Sequence, residues 1–108
     1  MLIVHGQSRV SVEHRARYIE SARKSAEGAR AESGNIAYVY SSDIFDPELI
    51  HTIEIWESEQ AFREHVEAPH HIRRIGDITE MGARPHSVQI FEASPGMDYQ
   101  SWKAGTSG

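Results

Sequence analysis

The sequence has no cysteine among its 108 residues, which excludes a disulfide framework, a thiolate nucleophile and a thiolate metal centre. It lacks an apolar run of the length a bilayer requires, so no membrane partner is expected. Its opening Met1-Leu2-Ile3-Val4-His5 lacks the basic flank and long apolar stretch of a signal peptide, and a cytoplasmic location is expected. It also lacks a basic excess. Eleven Lys and Arg stand against 16 Asp and Glu, a net charge of -5 with histidine neutral. A duplex-binding face must neutralise phosphates, so no nucleic-acid partner is expected. No Gly-x-Gly-x-x-Gly turn follows a strand, which removes the usual signal for a nicotinamide or flavin site. There is no internal repeat, and the length is that of one domain with a modest core.

What is present is a clear change of period along the chain. Leu2 to Val10 alternates as a strand, with Leu2, Val4, Gly6, Ser8 and Val10 on one face. Ser11 is placed to cap a helix whose apolar stripe is Val12, Ala16, Ile19, Ala22, Ala26 and Ala29, with Gly34 as its stop. Ile36 to Ser42 and Leu49 to Glu57 read as strands around the turn residues Asp43 to Pro47. Ser58 can cap a short helix, Glu59 to Val66, and Pro69 suits the first turn of another that runs to about Met81. His86 to Ala93 closes the pattern as a strand. The order β-α-β-β-α-β is that of an α+β, ferredoxin-like split β-α-β unit with an antiparallel sheet. Helices cover one face of such a sheet, and the other still carries apolar groups. A homodimer packed sheet to sheet, a dimeric α/β barrel, would cover it. Residues 1–94 are expected to form the domain and 95–108 a C-terminal arm or disordered tail.

The run Ile53-Glu54-Ile55-Trp56-Glu57-Ser58-Glu59-Gln60-Ala61-Phe62-Arg63-Glu64-His65-Val66-Glu67-Ala68-Pro69-His70 resembles the central signature of the antibiotic biosynthesis monooxygenase family. A strand ends in Glu-x-Trp-Glu-Ser, a short helix follows, and His-x-x-x-Pro-His comes after it. Upstream, Glu32-Ser33-Gly34-Asn35-Ile36-Ala37-Tyr38 is similar to the family's entry into the second strand. Downstream, Val88-Gln89-Ile90-Phe91-Glu92 fits its closing strand. The resemblance implies the ferredoxin-like fold and the homodimer. Its implications for chemistry are wider, since the family includes cofactor-independent anthrone and quinol oxygenases, haem-degrading enzymes and an isomerase.

Within this segment several residues can carry chemistry. Trp56 shares a strand face with Thr52 and Glu54 and offers a stacking surface, or fills core volume. Glu54 is a carboxylate in an apolar strand: a base if buried, or else the partner of Arg9 or Arg73, or solvent-facing. His65 and His70 flank Pro69 and can converge on a pocket mouth, or cap helix ends. Arg73 or Arg74 could meet an anionic substrate. A two-histidine, one-carboxylate iron site from His65, His70 and Glu54 has suitable ligand types, but Pro69 interrupts helical spacing and the reading is disfavoured. The expected pocket is lined by Tyr38, Thr52, Glu54, Trp56, Phe62, His65, His70 and Arg73. His65, Glu54 and His70 are its catalytic candidates, and no metal and no cofactor are expected.

The resemblance also sorts the family's branches. Laid on the haem-degrading pattern, Ser8 and Ile75 stand where an asparagine and an axial histidine belong, which disfavours haem. The anthrone-oxidising branch has an asparagine at Thr52 and a tyrosine at Phe62. The quinol-oxidising branch fits best. What it implies is a cofactor-independent monooxygenase acting on a small aromatic quinol, phenol or anthrone with dioxygen. The alternatives are a non-catalytic dimeric binding protein for a small metabolite and an isomerase that uses the same histidines.

Overall fold

Alternating apolar positions make Leu2–Arg9 a strand, β1, and the later runs follow the same rule. The computed structural model describes residues 1–105, apart from the side chains of Pro85 and His86. The expected disorder of the terminal Gly-Thr-Ser-Gly falls mostly on 106–108, outside the described residues. After β1 come helix α1 (Arg15–Arg30), strands β2 (Asn35–Ser42) and β3 (Leu49–Trp56), helices α2 (Glu59–Glu67) and α3 (Pro69–Glu80), strand β4 (Arg84–Glu92) and a short helix α4 (Tyr99–Lys103) within the expected arm. The four strands form one antiparallel sheet in the order β2-β3-β1-β4. This is the α+β ferredoxin-like arrangement expected. Within one chain the sheet is open and does not close into a barrel.

The start of α1 differs from expectation. Val12–His14 is a 3-10 turn, and Ser11 Oγ bonds His14 Nδ1 at 2.8 Å instead of capping the helix. The α-helix therefore begins at Arg15, and its phase is set by the tyrosine at Tyr18. Tyr18, Ala22, Ser25, Ala26 and Ala29 are buried, while Val12 and Ile19 are 63% and 50% exposed. Ser58 does cap α2, accepting from the Ala61 N–H at 3.1 Å. Pro69 opens α3 as expected, and Gly82 ends it with φ +72, a left-handed conformation that suits glycine.

The helices lie over β2 and β3 and leave β4 bare: Val88 and Ile90 are exposed on the helix side. On the opposite sheet face Val39 and Phe91 are exposed and Ile3, Ile53 and Ile55 are half-buried. Two buried clusters fill the space under the helices. One is Val10, Tyr18, Ala22, Ile50, Ile78, Met81 and Ala83. The other is Val4, Ala26, Ala29, Tyr38 and Trp56. Small residues let α1 approach this second cluster.

Gly34 is the tightest of these approaches. Its carbonyl accepts from Glu57 N–H at 2.9 Å, and a Cβ built on it would lie 2.2 Å from the Ala61 Cβ. A methyl cannot rotate away, so backbone must move. Gly34→Ala is expected to destabilise the chain by about 1–3 kcal/mol, the usual cost of overpacking. Urea denaturation checks this, and a midpoint unchanged from wild type would contradict it.

Candidate active site

Side chains two apart on a strand share a face, so β3 turns Glu54 and Trp56 together under the helices. Trp56 is fully buried, and its indole Nε1–H donates to Glu54 Oε1 at 3.1 Å. Glu54 sits between Val4 of β1 and Tyr38 of β2 in the strand register. The last turn of α2 brings His65 over the indole, ring centroids 4.7 Å apart. The His65 side chain has no solvent exposure. Its Nδ1 lies 3.0 Å from Glu32 Oε1, beyond the end of α1, and its Nε2 lies 3.9 Å from Glu54 Oε1 with no hydrogen-bond partner. From the first turn of α3, His70 Nε2 meets the same Glu32 oxygen. His71 sets its ring 4.6 Å from that of His65, tilted by 55°.

The electrostatics follow from burial. Loss of water pushes the Glu54 carboxyl up to about 7; the Trp56 N–H opposes the rise and the nearby Glu32 charge adds to it. Burial also lowers His65, against the pull of Glu32. His71 falls to about 4, from burial first and then from its imidazole neighbours His65 and His70. Tyr38 is raised by burial, with Tyr40 and Glu54 adding to it. His65 is thus held neutral. With Glu32 accepting from Nδ1–H, its Nε2 carries the lone pair and faces inward, on the Glu54 side.

Most of the residues singled out from the sequence come together. Tyr38 lies 5.5 Å from His65 and 6.5 Å from Trp56, and Phe62 lies 6.1 Å from Trp56 (ring centroids). Thr52 is on the same face but further along β3, opposite Gly6 and Tyr40. Arg73 is exposed, and helix phase turns its neighbour Arg74 inward instead. The Arg74 guanidinium lies 4.4 Å from the Tyr18 ring centre and donates to Ser21 Oγ at 2.9 Å. Neither Arg9 nor Arg73 neutralises Glu54: Arg9 pairs with Asp46 at 2.9 Å. Two residues of the cluster, Glu32 and His71, were not among the site candidates expected from the sequence; Glu32 figured there only in the segment that resembles the family's entry into the second strand.

The rings pack against one another, and of the expected lining Phe62 and His70 border two different clefts. Phe62 opens onto a cleft of about 600 Å³ between α2 and β4, with Leu2, Val66, Ile90, Arg63 and Glu92. Glu32 and His70 open onto another of about 300 Å³, with Gly28, Gly34 and Glu64. A cleft of about 440 Å³ between α1 and β2, lined by Tyr18, Arg23, Arg30 and Tyr40, lies away from the histidines.

Fold and site together define an α+β ferredoxin-like domain with a buried aromatic, imidazole and carboxylate cluster. The sequence profile of the antibiotic biosynthesis monooxygenase family matches residues 1–74, and the chain belongs to that family. A Deinococcus radiodurans protein designated a candidate antibiotic biosynthesis monooxygenase is similar at TM-score 0.85 and 24% identity, over 91% of this chain and 97% of its own. A second structure, an antibiotic biosynthesis monooxygenase, is similar at TM-score 0.77 and 26% identity, over 88% and 100%. A Bacteroides thetaiotaomicron protein of unknown function, described as a possible oxidoreductase, is similar at TM-score 0.80 and 23% identity, over 85% and 96%. No curated protein matches the chain significantly. The family supports a monooxygenase-type role. Among the described residues no helix is long and apolar enough to cross a membrane.

Glu54 has a stability signature. Unfolded, its carboxyl titrates near the ordinary 4.5; folded, near about 7. Between those values the folded state holds more protons, so this group's contribution to stability falls as pH rises through the window. The full difference corresponds to roughly 3 kcal/mol. His65 and His71, lowered by burial, act oppositely and cost stability as pH drops below about 6.5. Glu54→Gln keeps an acceptor for Trp56 and removes only the first effect. Relative to wild type, the variant should gain stability between pH 5 and pH 8 in urea melts. A difference that is flat with pH would contradict the raised carboxyl.

Proposed function

We propose that this chain is a cofactor-independent monooxygenase of small aromatic quinols, phenols or anthrones, of the quinol-oxidising type. The observation that carries this reading is the inward lone pair of His65 Nε2, set beside the Trp56 ring and oriented from behind by Glu32. The apolar cleft on Leu2, Phe62, Val66 and Ile90 is large enough for a single aromatic ring system. Phe62 stands between that cleft and the buried rings, so its side chain must swing for a substrate hydroxyl to reach the base.

In this reading His65 Nε2, assisted by Glu54, takes the phenolic proton. Glu32 stabilises the imidazolium that results, and His70 on the same oxygen relays protons toward solvent. Tyr38 and Thr52 border the carboxylate, and Trp56 positions the ring. The electron-rich anion reduces dioxygen. For a quinol the balance is quinol plus O₂ to hydroxyquinone plus water: one oxygen atom enters the ring, the other leaves as water, and the substrate supplies all four electrons. The protein contributes orientation and a dry site.

The working unit in this proposal is a homodimer joined through the sheet face opposite the helices. Among the described residues its apolar members are left half-buried (Ile3, Ile53 and Ile55) or exposed (Val39 and Phe91). Its polar members are already satisfied: His51 bonds Asp43 at 2.9 Å and His5 at 3.1 Å, and Gln7 accepts from Ser87 at 3.1 Å. Burial of that face therefore leaves few donors stranded. Light scattering at micromolar concentration should give twice the chain mass, and a single-chain mass would remove the dimer.

An oxygen electrode screen against quinols and anthrones tests the reaction. Uptake stoichiometric with substrate is expected. His65→Ala should lower kcat about 10²-fold or more with the fold intact. Trp56→Phe, which keeps a ring, should mainly raise KM. Binding of aromatics with no oxygen uptake would favour a binding protein, and rearrangement of substrate without uptake would favour an isomerase. Equal rates in wild type and His65→Ala would remove the proposed base.

A further inference from the structure

We infer that Glu32, His65 and His70 form a binding site for one divalent first-row transition ion. Glu32 Oε1, His65 Nδ1 and His70 Nε2 all lie within 4.8 Å of one another. They come from three separate elements: the loop after α1, the last turn of α2 and the first turn of α3. Tetrahedral ligands held at 2.0–2.1 Å from an ion lie about 3.3 Å apart, so one ion can span this set after a small outward turn of His70. The inference stands on ligand placement alone and does not depend on the oxygenase reaction. It departs from the sequence expectation of no metal. There the carboxylate weighed was Glu54, which lies on the far side of His65, at Nε2.

Three further observations support a built site. The first is the unpaired His65 Nε2. Without an ion, Nδ1–H donates to Glu32, and Nε2 is a buried lone pair with nothing to accept from. With an ion on Nδ1, the ring proton sits on Nε2 and points toward Glu54 Oε1, 3.9 Å away. A carboxylate behind a ligating histidine is the usual outer-shell arrangement. The second is the shaping by glycine. A Cβ at Gly28 would lie 2.9 Å from His70 Nδ1, and Gly34 seats the loop of Glu32 against α2. The third is access. The 300 Å³ cleft leads to Glu32 and His70, with Glu64 adding negative charge on its wall. Three protein ligands leave a fourth position open toward it.

The donor set selects the ion. Two imidazoles with one carboxylate suit zinc, iron(II), cobalt or nickel, whereas calcium and magnesium prefer oxygen ligands throughout. The site lies at the outer end of the proton path proposed above, so an ion there would compete with the proton on His65 Nδ1 without touching the aromatic cleft.

The full chain, stripped by chelator and desalted, is titrated with Co²⁺ and followed by visible absorption and calorimetry. The expected result is one Co²⁺ per chain with intense tetrahedral bands, displaced by Zn²⁺. Glu32→Gln and His70→Ala should each weaken binding about 10-fold or more, with circular dichroism unchanged. His14→Ala, distant from the cluster, should bind as wild type does. No stoichiometric Co²⁺ binding by wild type would overturn the site, as would binding unchanged in both cluster variants. Should either variant fail to fold, ¹⁵N spectra of wild-type imidazoles decide: Zn²⁺ must shift two rings assigned to His65 and His70, and unshifted rings overturn it. Oxygen uptake plays no part in these readouts, so the site and the oxygenase reading can fail separately.

Discussion

One carboxylate oxygen holds the helical layer together. Glu32 Oε1 receives both His65 and His70, so the loop after α1, the end of α2 and the start of α3 meet at a single atom. His65 has no solvent exposure, and leaving its Nδ1 without a partner would cost about 1–3 kcal/mol. The packing around it answers to that constraint. Gly28 leaves room for the His70 ring, Gly34 leaves room for Ala61, and the alanine stripe of α1 lets the helix lie close to Trp56 and Tyr38. A larger residue at any of these points would move Glu32 away from the two rings.

The same imidazole separates two carboxylates by environment. Glu54 lies inside, between Val4 and Tyr38, where desolvation raises it to about 7. Glu32 lies at the mouth of a solvent cleft. The two carboxylates on either side of His65 thus sit in unlike surroundings. His65, kept neutral between them, has one nitrogen turned to each. The indole of Trp56 fixes the inner carboxylate by donating to it, so the ring that borders the cluster also orients Glu54. Trp56 is core, and in the proposed reaction it serves the site as well, the two readings that its position in the sequence left open.

The strands were legible because a period of two leaves little freedom: β1, β2 and β3 fall where alternation puts them, and Glu54 and Trp56 share the buried face. The caps at Ser58 and Pro69 were legible as local chemistry. The phase of α1 was not. The 3-10 turn at Val12–His14 delays the helix, and the buried stripe runs through Tyr18 instead of Val12 and Ile19. A similar phase difference turns Arg74 inward and leaves Arg73 outside. His65 and His70 stood out because a proline sits between them in a family motif. Glu32 did not, since 33 and 38 residues separate it from the histidines it holds. Only the docking of α1 on α2 and α3 brings it there, and no local period encodes that.

The inner strand β3 links the two halves of the functional reading. Its even-numbered residues Glu54 and Trp56 build the cluster under the helices. Its odd-numbered residues His51, Ile53 and Ile55 belong to the open face opposite. Whatever covers that open face bears on the strand that carries Glu54 and Trp56. Strand pairing holds β3 on both edges, and a contact on one face of a close-packed sheet is felt by the side chains on the other. Association would then act on the cluster through the setting of Glu54 and Trp56 beneath His65, with no partner residue needed inside it. By the same reasoning, β4 contributes differently. It is bare on the helix side and bounds the cleft only through Ile90 and Glu92, so that wall can vary in sequence without disturbing the buried carboxylate. In the proposed reaction, substrate shape would be read at β4 and α2, and proton chemistry would stay with β3 and the loop of Glu32.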